Sequence, residues 1–191
     1  MRSLLKPLSL AAALVLSNTA FAQETTDPAT GLDLGQPATP APGPYVKDTF
    51  GDWQERCLPN PDGEDPCQLY QLLLDADGNQ VAEVSLFRLP EGGRAELGAN
   101  IVAPLETLLT QGLVIAVDDS EPRRFAFTFC NPGGCVARVG FTADEVAQFK
   151  AGTSATLTLV PVGAPDTPVV LSMSLSGITA GIDALPVAAA Q

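Results

Sequence analysis

The sequence predicts a mainly β fold: a single-domain antiparallel β-sandwich or distorted barrel with one short helix at about 142–151 and two local disulfides. Three observations predict it. From Asp48 onward the chain runs in short stretches of β-branched, aromatic and aliphatic residues broken by turn residues at close spacing. In "ATLTLV", Ala155, Leu157 and Leu159 fall on one face of a strand and Thr156 and Thr158 on the other, the alternation of a half-buried antiparallel sheet. The four cysteines fall into two close pairs, each around a loop built to reverse the chain: "LPNPDGEDP" between Cys57 and Cys67, and "NPGG" between Cys130 and Cys135.

Taken in order, residues 1–22 read as a secretory signal peptide. Arg2 and Lys6 give a positive start, 8–16 is an apolar run too short to span a bilayer, and Ala20-Phe21-Ala22 is a small-x-small cleavage site. The first cysteine is Cys57, so no lipid-bearing cysteine follows the cleavage site. Residues 23–47 are rich in proline and glycine, with little that is large to bury, and read as a disordered or polyproline-like linker. The β domain is expected over 48–186, with a flexible tail at 187–191. Strands are expected at 50–57, 68–74, 80–89, 96–102, 113–117, 124–129, 135–141, 153–161 and 169–175, and "DADGN" at 75–79 is a hairpin turn with Gly78 at positive φ. The helix is read from its caps. Thr142 and Glu145 form a capping box, Phe141 and Val146 a hydrophobic staple, Lys150 sits at the negative end and Gly152 terminates it. A further helical turn near "SGITAGIDAL" carries a weaker signal.

Cleavage would remove two basic side chains, Arg2 and Lys6, leaving 8 basic against 22 acidic side chains and a net charge of −14. Binding to phosphate backbones or anionic lipid depends on lysine and arginine releasing counterions, so nucleic acid is not an expected partner. No stretch after the signal segment is long and apolar enough to be a membrane-spanning helix.

The chain contains no histidine. That excludes Ser-His-Asp and Cys-His catalysis and every histidine-ligated metal site. Carboxylate pairs remain, with Asp118/Asp119 and Asp62/Glu64/Asp65 as the candidates for a glycosidase-like pair or a calcium site, but neither "DGED" nor "DADGNQ" has the spacing of an EF-hand loop. After the signal segment the lysines are Lys47 and Lys150, which argues against a Ser-Lys dyad. Redox cysteines usually form Cys-x-x-Cys at a helix N-terminus, whereas Cys130 and Cys135 flank a Pro-Gly-Gly turn between strands. The nine residues between Cys57 and Cys67 do not suit a zinc knuckle. Four cysteines allow three connectivities; the local one, Cys57–Cys67 and Cys130–Cys135, is the expected staple, each bond stabilising by about 2–3 kcal/mol. Trp53, the single tryptophan, is expected in the core beside the first disulfide. No catalytic residue, cofactor or metal ligand is assigned.

The segments "FGDWQERC", "CQLYQLL", "VAEVSLFRL", "ANIVAPLETLLTQGLVIAVDD", "RFAFTFCNPGGCVARVGFTADEVAQFKAGTSATLTLV" and "PVVLSMSLSGITAGIDAL", in this order, resemble the invasion-associated locus B family over about residues 49–185. Its members are small exported proteins of Gram-negative bacteria. The resemblance implies a non-enzymatic protein of the periplasm, with peripheral outer-membrane association or secretion as variants, whose partner is a protein or envelope component. The alternative reading from the residues is a carboxylate-dependent periplasmic hydrolase. If the signal-peptide assignment is right, mass spectrometry of the exported protein will place its N-terminus at Gln23; an intact Met1 would refute it.

Overall fold

The computed structural model describes residues 27, 29–33, 35 and 42–188. The signal segment 1–22 lies outside the described residues, as does most of the linker. Within the first unit, the Asp27 carboxylate accepts hydrogen bonds from the backbone N–H of Ala29 and Thr30 and closes a turn. The remainder is one β domain starting at Pro42.

Eleven strands form two antiparallel sheets. The larger has seven strands in the order β1-β2-β3-β4-β5-β9-β8, where β1 is Tyr45–Phe50, β2 Trp53–Cys57, β3 Cys67–Leu74, β4 Gln80–Arg88, β5 Leu97–Ala103, β8 Phe129–Asn131 and β9 Gly134–Phe141. The smaller runs β11-β10-β6-β7, where β6 is Leu113–Val117, β7 Arg123–Phe125, β10 Ser154–Leu159 and β11 Val169–Ser174. Each sheet keeps two free edges, so of the two expected architectures the closed, distorted barrel is ruled out. The alternation read in 155–159 is observed: Ala155, Leu157 and Leu159 are buried and Thr156 is exposed.

The core lies between the sheets. Leu69, Leu73, Val84, Leu86, Ile101 and Val139 from the large sheet join Leu113, Leu157, Leu171 and Met173 from the small one. Fully burying one such side chain contributes about 1.5–3 kcal/mol. Trp53 is wholly buried, and its indole N–H donates to the Ser174 carbonyl at 2.9 Å. Gln71, also buried, takes the same backbone unit from both sides: its amide donates to Ser174 O at 3.1 Å and accepts from Ser174 N at 2.8 Å. The Ser174 hydroxyl donates to Asp52 at 2.6 Å. These bonds tie the edge of the small sheet to β2 and β3.

Among the described residues there are two α-helices, the second where "SGITAGIDAL" carries the weaker signal. α1, Ala143–Ala151, has the expected capping box, with Glu145 accepting from the Thr142 backbone at 2.8 Å. Glu145 also pairs with Arg123 of β7 at 3.0 Å. α2, Ile178–Ala184, has no side-chain cap; it starts from Gly177 at φ +84, so close to the Phe50 carbonyl that a Cβ would collide with it. Lys150 pairs with Asp183 of α2 at 2.7 Å while also sitting in the last turn of α1. Phe141 stacks edge-on with Phe125 and Phe149, joining β9 to β7 and α1.

Four features differ from the sequence reading. Tyr45–Lys47, placed in the linker by composition, belong to β1, and 50–57 is broken into two strands by the turn at Gly51-Asp52. The expected strand 124–129 is two strands in different sheets: Phe125, Phe127 and Phe129 keep a period of two, but the chain changes sheets between β7 and β8. In the predicted tail, Val187 bridges Arg88 and Ala188 N donates to Arg88 O at 2.9 Å.

Both disulfides have the local pairing. Cys57 lies directly opposite Cys67, and Cys130 opposite Cys135, with Cα–Cα distances of 4.1 and 4.0 Å. No cysteine is free. The Gln71→Leu variant keeps the volume but leaves the Ser174 N–H without its partner, and is expected to lose about 1–3 kcal/mol in urea unfolding; a loss below about 0.5 kcal/mol would show that the tie is dispensable.

Candidate binding face

Alternation along five strands of the large sheet sends one set of side chains into the core and the other outward. Trp53, Leu69, Val84, Ile101 and Val139 are buried, while Gln54, Arg56, Tyr70, Ser85, Phe87, Asn100 and Arg138 stand on the opposite face. The register aligns part of this second set. Gln54 pairs with Tyr70, Tyr70 with Ser85, Ser85 with Asn100 and Asn100 with Arg138, giving one continuous row across β2, β3, β4, β5 and β9.

Two flat groups stand on this face. The Arg56 guanidinium lies 3.3 Å over the centre of the Tyr70 ring and is held there by two hydrogen bonds from Nε and Nη2 to Gln54 Oε1, at 3.0 and 2.8 Å. Stacking on an aromatic face while keeping N–H groups free is a property arginine has and lysine lacks. Phe87 lies against Gly98, where any Cβ would strike its ring. Arg138 is exposed. Tyr70, Asn100 and Arg138 of the row, with Arg56, Gln68 and Phe87 beside it, line a groove of about 640 Å³, within the usual size of small-ligand sites. The first disulfide with its loop (Leu58, Asn60, Glu64, Asp65) forms one wall, and Pro186–Ala188 another.

Burial, and secondarily the Glu83 carboxylate, push the Tyr70 phenol above its ordinary value, which keeps it protonated. Asp65 is pulled below the usual carboxylate range by the Tyr45 hydroxyl, which donates to it at 2.6 Å, and then by the Asn60 N–H. On the core side of the same strands, the buried Glu55 carboxylate accepts from Lys47 at 2.9 Å. Glu55, Cys57 and Cys67 are the one cluster of potential metal-ligating side chains among the described residues. Both sulfurs are committed to the disulfide, so the cluster offers no thiolate to an ion.

Asp118 and Asp75 serve turns. Asp118, in the turn after β6, accepts from the N–H groups of Thr153 and Ser154, which hold its pKa down, and it lies apart from the groove. Asp75 in "DADGN" is held down by the Asn79 side chain, with Asn79 N and Asp77 N as further donors. Glu64 and Asp65 line the groove, but Asp62 does not. Sequence reading missed the row itself. Its signal, polar and aromatic residues alternating with core residues, is present in each strand, but the order and register that align five strands are not.

The class these features define is a disulfide-stapled, two-sheet β domain that presents one face of its larger sheet. Residues 53–186 match the model of the invasion associated locus B (IalB) family, and the chain belongs to that family. An invasion protein B homolog of Brucella abortus (strain 2308) is 29% identical over 138 residues, covering 72% of this chain and 78% of the relative. Invasion protein B of Bartonella bacilliformis is 26% identical over 170 residues, 88% and 87% of the two chains. The crystal structure of invasion associated protein B from Bartonella henselae shares the fold, with a TM-score of 0.61 at 21% identity over 72% of this chain and 92% of that one.

The shifted groups set a pH profile. Asp65, Asp75 and Asp118 have depressed pKa values, so their stabilisation is present above the ordinary carboxylate range and is lost as pH falls through their folded values. Lys47, raised chiefly by its hydrogen bond to Glu55, and Tyr45, raised by Asp65, stabilise fully below their ordinary values, and that share is lost as pH rises through the raised ones. Melting temperatures followed across pH should show Lys47→Met less stable than the parent at neutral pH and with a shallower alkaline decline. Parallel alkaline declines would contradict the pairing.

Proposed function

We propose that this is an exported, envelope-associated binding protein without catalytic activity, and that its ligand seats on the outward face of the seven-stranded sheet. The observation that carries the reading is the set of stacked arginine, aromatic and amide side chains that lines an open groove on the face opposite the core. Export is supported by the signal-like segment at 1–22 and by two cysteine pairs that are oxidised, a state typical of compartments outside the cytosol. Among the described residues no helix is long and apolar enough to cross a membrane, which is consistent with peripheral association. Membership of the invasion associated locus B family supports an interaction role, since the relatives are named invasion proteins.

The carboxylate-dependent hydrolase is the weaker reading. Such an enzyme needs one carboxyl held protonated near neutral pH, and Asp65 in the groove is shifted the opposite way. Capture from native envelope extracts with the tagged full-length chain tests the binding reading. A component retained by the parent and by the loop variant Arg94→Gln should be lost, by about tenfold or more, with Arg138→Gln and Phe87→Ala. Equal retention by all four would show that this face is not the site.

A further inference from the structure

We infer that the outward face takes an anionic oligosaccharide, a chain of sugar rings bearing carboxylate or phosphate groups, laid across the strands. The inference rests on the binding-face reading above and adds the chemistry of the ligand.

β2, β3, β4, β5 and β9 each have a hydrogen-bonded neighbour on both sides, so their backbone N–H and C=O groups are committed to ladders. A peptide that binds by adding a strand needs a free edge and finds none here. Recognition must come from side chains, and the row supplies them perpendicular to the strands.

Phe87 can lie against the sheet because position 98 is glycine, and Arg56 is fixed flat on Tyr70. Such plates suit the C–H face of a sugar ring. Gln68 and Asn100, which line the same groove, provide donors and acceptors of the kind that match ring hydroxyls. An ordinary apolar docking patch would not carry this polar set at its centre.

In a chain of net charge −12, Arg56 is held by a neutral glutamine, and no carboxylate among the described residues forms a salt bridge with Arg56 or Arg138. An arginine fork matches a carboxylate or a phosphate with two parallel hydrogen bonds. Tyr70, over which Arg56 lies, and Arg138 belong to strands three places apart in the sheet, about 14 Å at the usual strand spacing. That separation leaves room for several sugar rings between the stacked plate and the exposed arginine. A nucleic acid, with a charge on every residue, would meet the acidic surface throughout. Glu64 and Asp65 make one wall of the groove, and Asp65 is already bound to Tyr45 and Asn60, so the anionic groups seat toward Arg138.

Isothermal titration of the full-length chain tests this with four probes: tetragalacturonate for ring carboxylates, pentamannose phosphate for sugar phosphate, maltotetraose as the neutral counterpart and tetraglutamate as the acidic peptide. At least one of the two anionic sugars should bind, more weakly as salt rises. Its affinity should fall tenfold or more in Arg138→Gln, whose side chain is exposed and unneeded for folding, and stay unchanged in Arg94→Gln. Which of the two sugars binds identifies the anion. Equal affinity for maltotetraose, equal or tighter binding of tetraglutamate, indifference to Arg138→Gln, or no binding of either anionic sugar would each overturn the inference. If envelope capture remains sensitive to Arg138→Gln while neither sugar binds, only the ligand chemistry fails; if capture is insensitive as well, the binding face fails with it.

Discussion

Ser174 is the residue through which the two sheets hold each other. It ends β11, at an open edge where backbone N–H and C=O groups would otherwise face water or another chain. Gln71 imitates a neighbouring strand with its amide, Trp53 adds a donor from the core, and Asp52 takes the hydroxyl. The tie does two things at once. It satisfies polar groups at a buried seam, where leaving one unpaired costs about 1–3 kcal/mol, and it covers part of an edge that could template aggregation. It also fixes where β2 and β3 lie relative to the small sheet, and those two strands carry Gln54, Arg56 and Tyr70 at one end of the outward row.

The core and the outward row divide the same strands between them. Because side chains alternate, every residue of β2 to β5 and β9 that packs inward leaves its neighbour free to face out. Packing is therefore met by Leu69, Val84 and Ile101 without using Tyr70, Ser85 or Asn100. Gly98 shows the division most plainly. It lies between the core residues Leu97 and Ala99, and its missing side chain is filled from the outer side by the Phe87 ring. Evolution of the outward set is thus free of most packing constraints, except where a ring lies against the sheet.

Much of the fold was legible because its signals are local. The capping box at Thr142 and Glu145, the turn at Gly78 and the alternation of 155–159 each depend on residues a few positions apart, and the structure has all three. The pairing of Cys130 with Cys135 was readable for the same reason. What was not legible depends on partners far away in sequence. Phe125, Phe127 and Phe129 read as one strand because period is blind to which sheet each residue joins. α2 lacks a capping side chain and owes its start to the space between Gly177 and Phe50, a contact across more than a hundred residues. β1 was hidden by prolines just before it. The row from Gln54 to Arg138 needed both the strand order and the register.

The two disulfides join cysteines that are consecutive in the chain, first to second and third to fourth. A polypeptide oxidised from its N-terminus as it emerges into an oxidising compartment meets its correct partner each time, since Cys67 follows Cys57 before Cys130 exists to compete. Sequential oxidation alone thus yields the native bonds, with no need for a step that breaks and remakes them. Of the three pairings that four cysteines allow, this chain has the one that oxidation in order along the sequence would reach without rearrangement.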